Sequence, residues 1–125
     1  MNRAYRLKVR ILKTTGRNLM IGITDVKTQK NNRSSYSSGC SHAYYGPGGY
    51  IYPGSKTSGS GFNQNDVVEV SVELSNKKIT WHVNGIQNAV DTPEAFLNNT
   101  NKFMPYIEFY EQSVSIEWLG SSFSN

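Results

Sequence analysis

One cysteine, Cys40, and two histidines, His42 and His82, are all that 125 residues offer in thiols and imidazoles. A lone cysteine excludes an internal disulfide and suits a reducing compartment, so a cytoplasmic location is the expectation. The same scarcity excludes a structural zinc site, which needs four sulfur or nitrogen ligands, and there is no Cys-x-x-Cys pair. Long apolar runs are also missing. No window approaches the length of a membrane span, and Met1 to Leu12 is too basic, with its apolar residues too dispersed, to act as a secretion signal. Acids are scarce in the first sixty residues, which hold ten basic groups against Asp25 alone, a charge of +9; the remainder holds three basic groups and eight acids, −5, and the sum is the net +4.

Catalytic constellations are lacking as well. Cys40 and His42 lie two apart, and on an extended segment such side chains point the same way without facing each other, which does not make a nucleophile and base. Gly46-Pro47-Gly48-Gly49 lacks the Lys-Ser/Thr terminus and the strand-to-helix context of a phosphate loop. Asp66 stands at a strand entrance, where a carboxylate accepts backbone N–H bonds of a turn, a structural role. His82 reads as an exposed sheet residue. The expectation is a protein that is not an enzyme and needs no cofactor or metal.

What is present is strand periodicity. Val68, Val70, Val72 and Leu74 alternate with Val67, Glu69, Ser71 and Glu73, and after the polar turn Ser75-Asn76-Lys77 the residues Ile79, Trp81 and Val83 alternate with Lys78, Thr80 and His82. Asn84-Gly85 marks a further hairpin, since a type I′ turn needs positive φ at both central positions. Tyr5 to Leu12 alternates too. A turn at Lys13 to Asn18 joins it to an apolar strand, Leu19 to Thr24, as an expected hairpin. Val26 to Ser41 reads as a long polar loop, and short strands bracket a turn at Gly46 to Gly49. Ser55 to Gly61 reads as loop. Thr92-Pro93-Glu94 looks like an N-cap, a proline at the first helical position and an acid in the first turn, so one short helix is expected near Thr92 to Phe96. Phe103 to Phe109 and Ser113 to Leu119 complete the strands. A chain of this length makes one domain, residues 1–125, burying roughly two-thirds of its unfolded surface.

The clustered cations admit two uses. They would suit a nucleic-acid or acidic-partner surface. The favoured reading is pairing within a sheet: Arg6, Lys8 and Arg10 lie on the outer face of one strand, Glu69, Glu73 and Glu117 on those of others, and nucleic acid is disfavoured as a partner.

The order and spacing of several motifs resemble the SPRY domain, the core of the B30.2 module. They are Asp66 to Leu74 followed by Ile79 to Gly85 with its aromatic and Asn-Gly, then Leu19-Met20-Ile21-Gly22-Ile23-Thr24 with an internal glycine, the Tyr- and Gly-rich stretch from Tyr36 to Gly54, Met104-Pro105-Tyr106-Ile107, and Val114-Ser115-Ile116-Glu117-Trp118. Two departures stand out. Asn65 replaces the glycine that usually precedes the Asp, and the family's strands upstream of Tyr5 to Leu12 have no counterpart, so a fragment or variant lacking these N-terminal strands is expected.

The resemblance implies an all-β fold, a sandwich of two antiparallel sheets of the jelly-roll, lectin-like kind, with a core of Val9, Ile11, Ile21, Ile23, Val68, Val70, Val72, Ile79, Trp81, Val83, Ile107, Val114, Ile116 and Trp118. It implies non-catalytic binding of a peptide or folded protein partner through loops at one end of the sandwich, within a larger protein or multi-subunit assembly such as a ubiquitin ligase. The site would combine the loop after Thr24, the Tyr-rich segment and the turn between the last two strands. Tyr36, Tyr44, Tyr45, Phe109, Tyr110 and Glu111 are the positions carried over. The residues agree in kind: five of the eight tyrosines fall between Tyr36 and Tyr52, and tyrosine combines contact area, few rotors and a polar tip. Packing under the Gly-rich turn is the alternative use of some of them. The rival function is carbohydrate binding, which the aromatic faces and Asn side chains suit and which the lack of a secretion signal or an acidic calcium site disfavours.

Overall fold

Among the described residues, ten strands and one short helix follow in the order β1 (Ala4–Lys13), β2 (Leu19–Asp25), β3 (Ser41–Gly46), β4 (Tyr50–Tyr52), β5 (Lys56–Thr57), β6 (Val67–Glu73), β7 (Lys78–Val83), β8 (Ile86–Asp91), α1 (Glu94–Asn99), β9 (Phe103–Phe109) and β10 (Ser115–Ser124). The structure, a computed structural model, describes residues 4–13, 19–25, 41–46, 49–52, 56–57, 61–99, 103–109 and 114–124. The strands form two five-stranded antiparallel sheets, ordered β10-β1-β6-β7-β8 and β5-β4-β3-β2-β9.

Period-2 patterning explains the first sheet. Tyr5, Leu7, Val9 and Ile11 of β1 are buried while Arg6, Lys8 and Arg10 between them are exposed, and β6 directs Val68, Val70 and Val72 to the same core. Ile79 and Trp81 of β7 join them, facing Leu19, Ile21 and Ile23 of β2. The Trp81 indole Nε1 donates to the Ile21 carbonyl at 2.8 Å, a buried bond across the gap that sets β7 over β2. β2 is covered on both faces, since Met20 and Thr24 are as buried as its core-facing residues.

The Asn84-Gly85 turn is the expected hairpin, with φ of 53° and 82°. Asn65, just before Asp66, has φ of 75°. Asparagine is among the few residues with a Cβ that enter this left-handed region readily.

Several expectations change. β1 and β2 are not a hairpin: both edges of β1 are taken, by β6 and β10, and the 14–18 connection carries the chain to the other sheet. Trp118 is not core. It sits opposite Val9, yet 47% of it is exposed, because β10 is the edge strand of its sheet. β10 also runs on to Ser124, and β5 lies where loop was expected. His82 is half-buried rather than exposed, and its Nδ1 is enclosed with no hydrogen-bond partner among the described residues. Val83, Ile107 and Ile116 are partly buried and pack against the core. The helix begins at Glu94, one residue beyond the expected start, with Leu97 N–H donating to the Pro93 carbonyl at 3.0 Å and Leu97 buried beneath.

Candidate recognition end of the sandwich

Strand register decides which predicted residues meet. β2 lies between β3 and β9, and its first residue, Leu19, is opposite Gly46 on one side and Phe109 on the other. The next row runs Tyr50, Tyr45, Met20, Glu108 across four strands, and the row beyond places Tyr44 and Ile107 opposite Ile21. Tyr44, Tyr45 and Phe109 are therefore brought to one end of this sheet. Tyr36, Tyr110 and Glu111 lie outside the described residues.

The first sheet contributes to the same end. Ile21 is two residues from the start of β2, Trp81 two residues from the end of β7, and their hydrogen bond superposes the two strand ends. The link from Lys13 to Leu19 agrees, since six peptide steps reach at most roughly 20 Å while the sheets are about 10 Å apart. Gathered here are the β3–β4 turn with Gly49 at φ of 75°, the segment entering β6, the Asn84-Gly85 hairpin and the departure of the chain from β9. The loop after Thr24 leaves β2 at the opposite end, where Asp25 faces Phe103 and Thr24 faces Ser41.

A side-chain network stiffens the first-sheet half of this end. Asp66 accepts the Asn63 N–H at 2.7 Å through Oδ2 and the Asn84 side-chain amide at 2.9 Å through Oδ1, while Asn84 Oδ1 accepts the Val67 N–H at 2.9 Å. Backbone bonds from Asn84 N–H to the Val67 carbonyl and from Ile11 N–H to the Asp66 carbonyl, both 2.8 Å, tie hairpin, β6 and β1 together. Asp66 thus does the structural work read from its position, organising a turn.

Among the described residues, four large hydrophobic side chains are exposed at this end: Phe109 at 46%, Leu12 at 46%, Ile86 at 72% and Tyr50 at 39%. The sequence reading missed Leu12 and Ile86. A signal existed for Leu12, an apolar residue at the outward phase of β1, and for Ile86, an apolar residue flanking the Asn-Gly turn. Beside them the Tyr106 hydroxyl donates to the Glu108 carboxylate.

The cations of β1 are matched across the outer face of the first sheet. Arg10 meets Glu117 at 2.7 Å, Lys8 meets Glu69 at 3.7 Å, and Lys78 meets Glu73 at 3.6 Å, each pair in direct cross-strand register. The Glu73 carboxyl is held below its ordinary value, first by the hydrogen bond donated by Asn76 at 2.9 Å, against an opposing cost of desolvation, and further by Lys78 and Arg6. Among the described residues, no group of three or more His, Cys, Asp and Glu side chains is arranged to hold a metal ion, and no helix is long and apolar enough to cross a membrane.

Two five-stranded antiparallel sheets, joined by crossing connections and carrying one short helix, make this a SPRY-like β-sandwich. Among solved structures, the crystal structure of the SPRY domain of human HERC1 is similar to it with a TM-score of 0.67, across 98% of this chain and 77% of that chain, at 15% sequence identity. The likeness at that identity is one of fold. No protein-family model matches the sequence, and no curated protein matches it.

Proposed function

We propose that this chain is a non-catalytic recognition module that binds a peptide or folded protein partner, in the cytoplasm and within a larger assembly, through the end of the sandwich where Tyr44, Tyr45 and Phe109 converge. The observation that carries the reading is the register that sets Gly46 and Phe109 on either side of Leu19, with Tyr45 and Glu108 on either side of Met20. Exposed Leu12, Ile86 and Phe109 add apolar surface at that end, on a frame made rigid by the Asp66–Asn84 network. Rigid aromatic and apolar anchors on a preformed scaffold are what protein recognition uses, because little conformational entropy is lost on binding. Tyr110 and Glu111 belong to the proposal as the residues that follow Phe109 in the chain, whereas Tyr36 falls between Asp25 and Ser41, two strand ends on the far side of this sheet.

Affinity capture from cell extract, followed by titration of the captured partner, tests it. Tyr45→Ala or Phe109→Ala should weaken binding by roughly 2 kcal/mol or more with unchanged thermal stability. Lys8→Ala and Arg10→Ala should alter only a salt-sensitive association rate. If those lysine and arginine changes abolish binding with a steep salt slope while the aromatic variants bind normally, the reading is wrong and an electrostatic face, nucleic acid included, replaces it. A glycan array that gave saturable binding would instead favour the carbohydrate reading.

A further inference from the structure

The Asn84-Gly85 hairpin carries a chemistry that recognition does not use. Asparagine followed by glycine is the pair in which the side-chain amide is most open to attack by the next backbone nitrogen, because glycine has no Cβ to obstruct the approach. This is the only Asn-Gly pair in the sequence, and both residues are exposed. Open space surrounds Gly85, where a Cβ would meet no atom within 4 Å.

The fold holds the reacting amide in place. Asn84 Nδ2 donates to Asp66 Oδ1 at 2.9 Å, Asn84 Oδ1 accepts the Val67 N–H at 2.9 Å, and the Asn84 N–H donates to the Val67 carbonyl at 2.8 Å. Ring closure draws the Asn84 Cγ onto the Gly85 nitrogen and turns the amide away from both Asp66 and Val67. The nitrogen that must leave is the one Asp66 holds.

We propose that Asn84 is a site of spontaneous deamidation, restrained by Asp66 while the turn is closed, and that its conversion opens the turn irreversibly. The Gly85 nitrogen gives up its proton and bonds to Asn84 Cγ; the Cγ–Nδ2 bond breaks, and Nδ2 takes up the proton and leaves as ammonia. Water then opens the cyclic imide at either carbonyl, giving aspartate or isoaspartate. Aspartate carries a carboxylate oxygen where an N–H donor met Asp66 Oδ1, so an attraction at 2.9 Å becomes a repulsion between like charges. Isoaspartate lengthens the backbone inside the turn, which disturbs the Val83–Ile86 pairing that closes the hairpin. Either product loosens the network around Asp66, whether or not this end binds a partner.

The whole chain is incubated in warm neutral buffer, and peptide mapping by mass spectrometry follows Asn84. The expected result is conversion to aspartate and isoaspartate at a rate about tenfold below that of the urea-unfolded chain. Asp66→Ala removes the restraint and should speed conversion in the folded chain about tenfold. Should that variant not fold, Asp66→Asn replaces a charged acceptor by a neutral one and should give a smaller acceleration. Asn84→Asp, which creates one product directly, should lower amide-exchange protection at Asn63 and Val67 about tenfold. Adding Asp66→Asn should restore it, because an amide again faces a carboxylate. Equal rates in the folded and unfolded chains, a rate indifferent to Asp66, or full protection in the Asn84→Asp variant would overturn the proposal. So would an intact Asn84 in the folded chain after about a hundred half-lives of the unfolded one, since local opening is far more frequent than that.

Discussion

Trp81 is the side chain whose removal tests the packing of the two sheets most directly. It is fully buried at the centre of β7, opposite Val70 of β6 and Ala89 of β8, and its indole N–H closes on the Ile21 carbonyl at 2.8 Å. Trp81→Ala removes the largest buried side chain and leaves a cavity between the sheets, so the expected cost is about 3–5 kcal/mol. Trp81→Phe separates the two contributions. It keeps an aromatic ring in the core but leaves the Ile21 carbonyl short of one partner in a dry environment, for about 1–3 kcal/mol. Against a total stability of roughly 5–15 kcal/mol, the alanine variant is marginal and the phenylalanine variant plainly folded. Urea unfolding followed by far-UV circular dichroism measures both, and the midpoint should fall with the slope unchanged. A loss under about 1 kcal/mol for the alanine variant, or a phenylalanine variant as stable as the parent, would refute the inter-sheet bond and the register that places it.

Other outcomes follow from the turns and the surface charges. Asn84→Ala removes two side-chain hydrogen bonds and a residue suited to φ of 53°, and should lower stability by about 1–3 kcal/mol in the same urea assay. Asn65→Gly should be neutral or stabilising by up to about 1 kcal/mol, because glycine meets φ of 75° without a Cβ, whereas Asn65→Val should destabilise by more than that. The depressed Glu73 carboxyl contributes stability that is present above the ordinary glutamate pKa and is lost as pH falls through its own lower value; Asn76→Ala should raise the Glu73 midpoint in a carboxyl-carbon NMR titration. A double-mutant cycle on Arg10 and Glu117 should return a coupling of only about 0.2–1 kcal/mol that shrinks with added salt, since both side chains are exposed.

Where local pattern and tertiary environment agree, the sequence was sufficient. Alternation in β1, β6 and β7 named their core faces because each lies in the interior of its sheet; burial follows period 2 in β1, while in β6 and β7 the outer-face pair Ser71 and Thr80 is buried as well. Asn84-Gly85 named its own hairpin, because positive φ at both positions is a property of those residues in any context. The pairing of Lys8 with Glu69 and Arg10 with Glu117 was legible as a kind of arrangement, though not as partners, since register is a relation between strands distant in the chain.

What tertiary structure alone decided is how the strands are distributed between sheets and which lie at an edge. Adjacent β1 and β2 look like a hairpin because a short turn joins them, yet hydrogen bonding of β1 with β6 and β10 takes both its edges. Trp118 alternates as faithfully as Trp81, and the two differ in their place in the sheet: β2 covers Trp81 in the interior, while Trp118 stands on an edge strand. The tyrosines and Phe109 were visible in the sequence as residues suited to recognition. The placement of Tyr44, Tyr45 and Phe109 near the start of β2 comes from antiparallel pairings spanning up to ninety residues, from Leu19 to Phe109, which no local signal encodes.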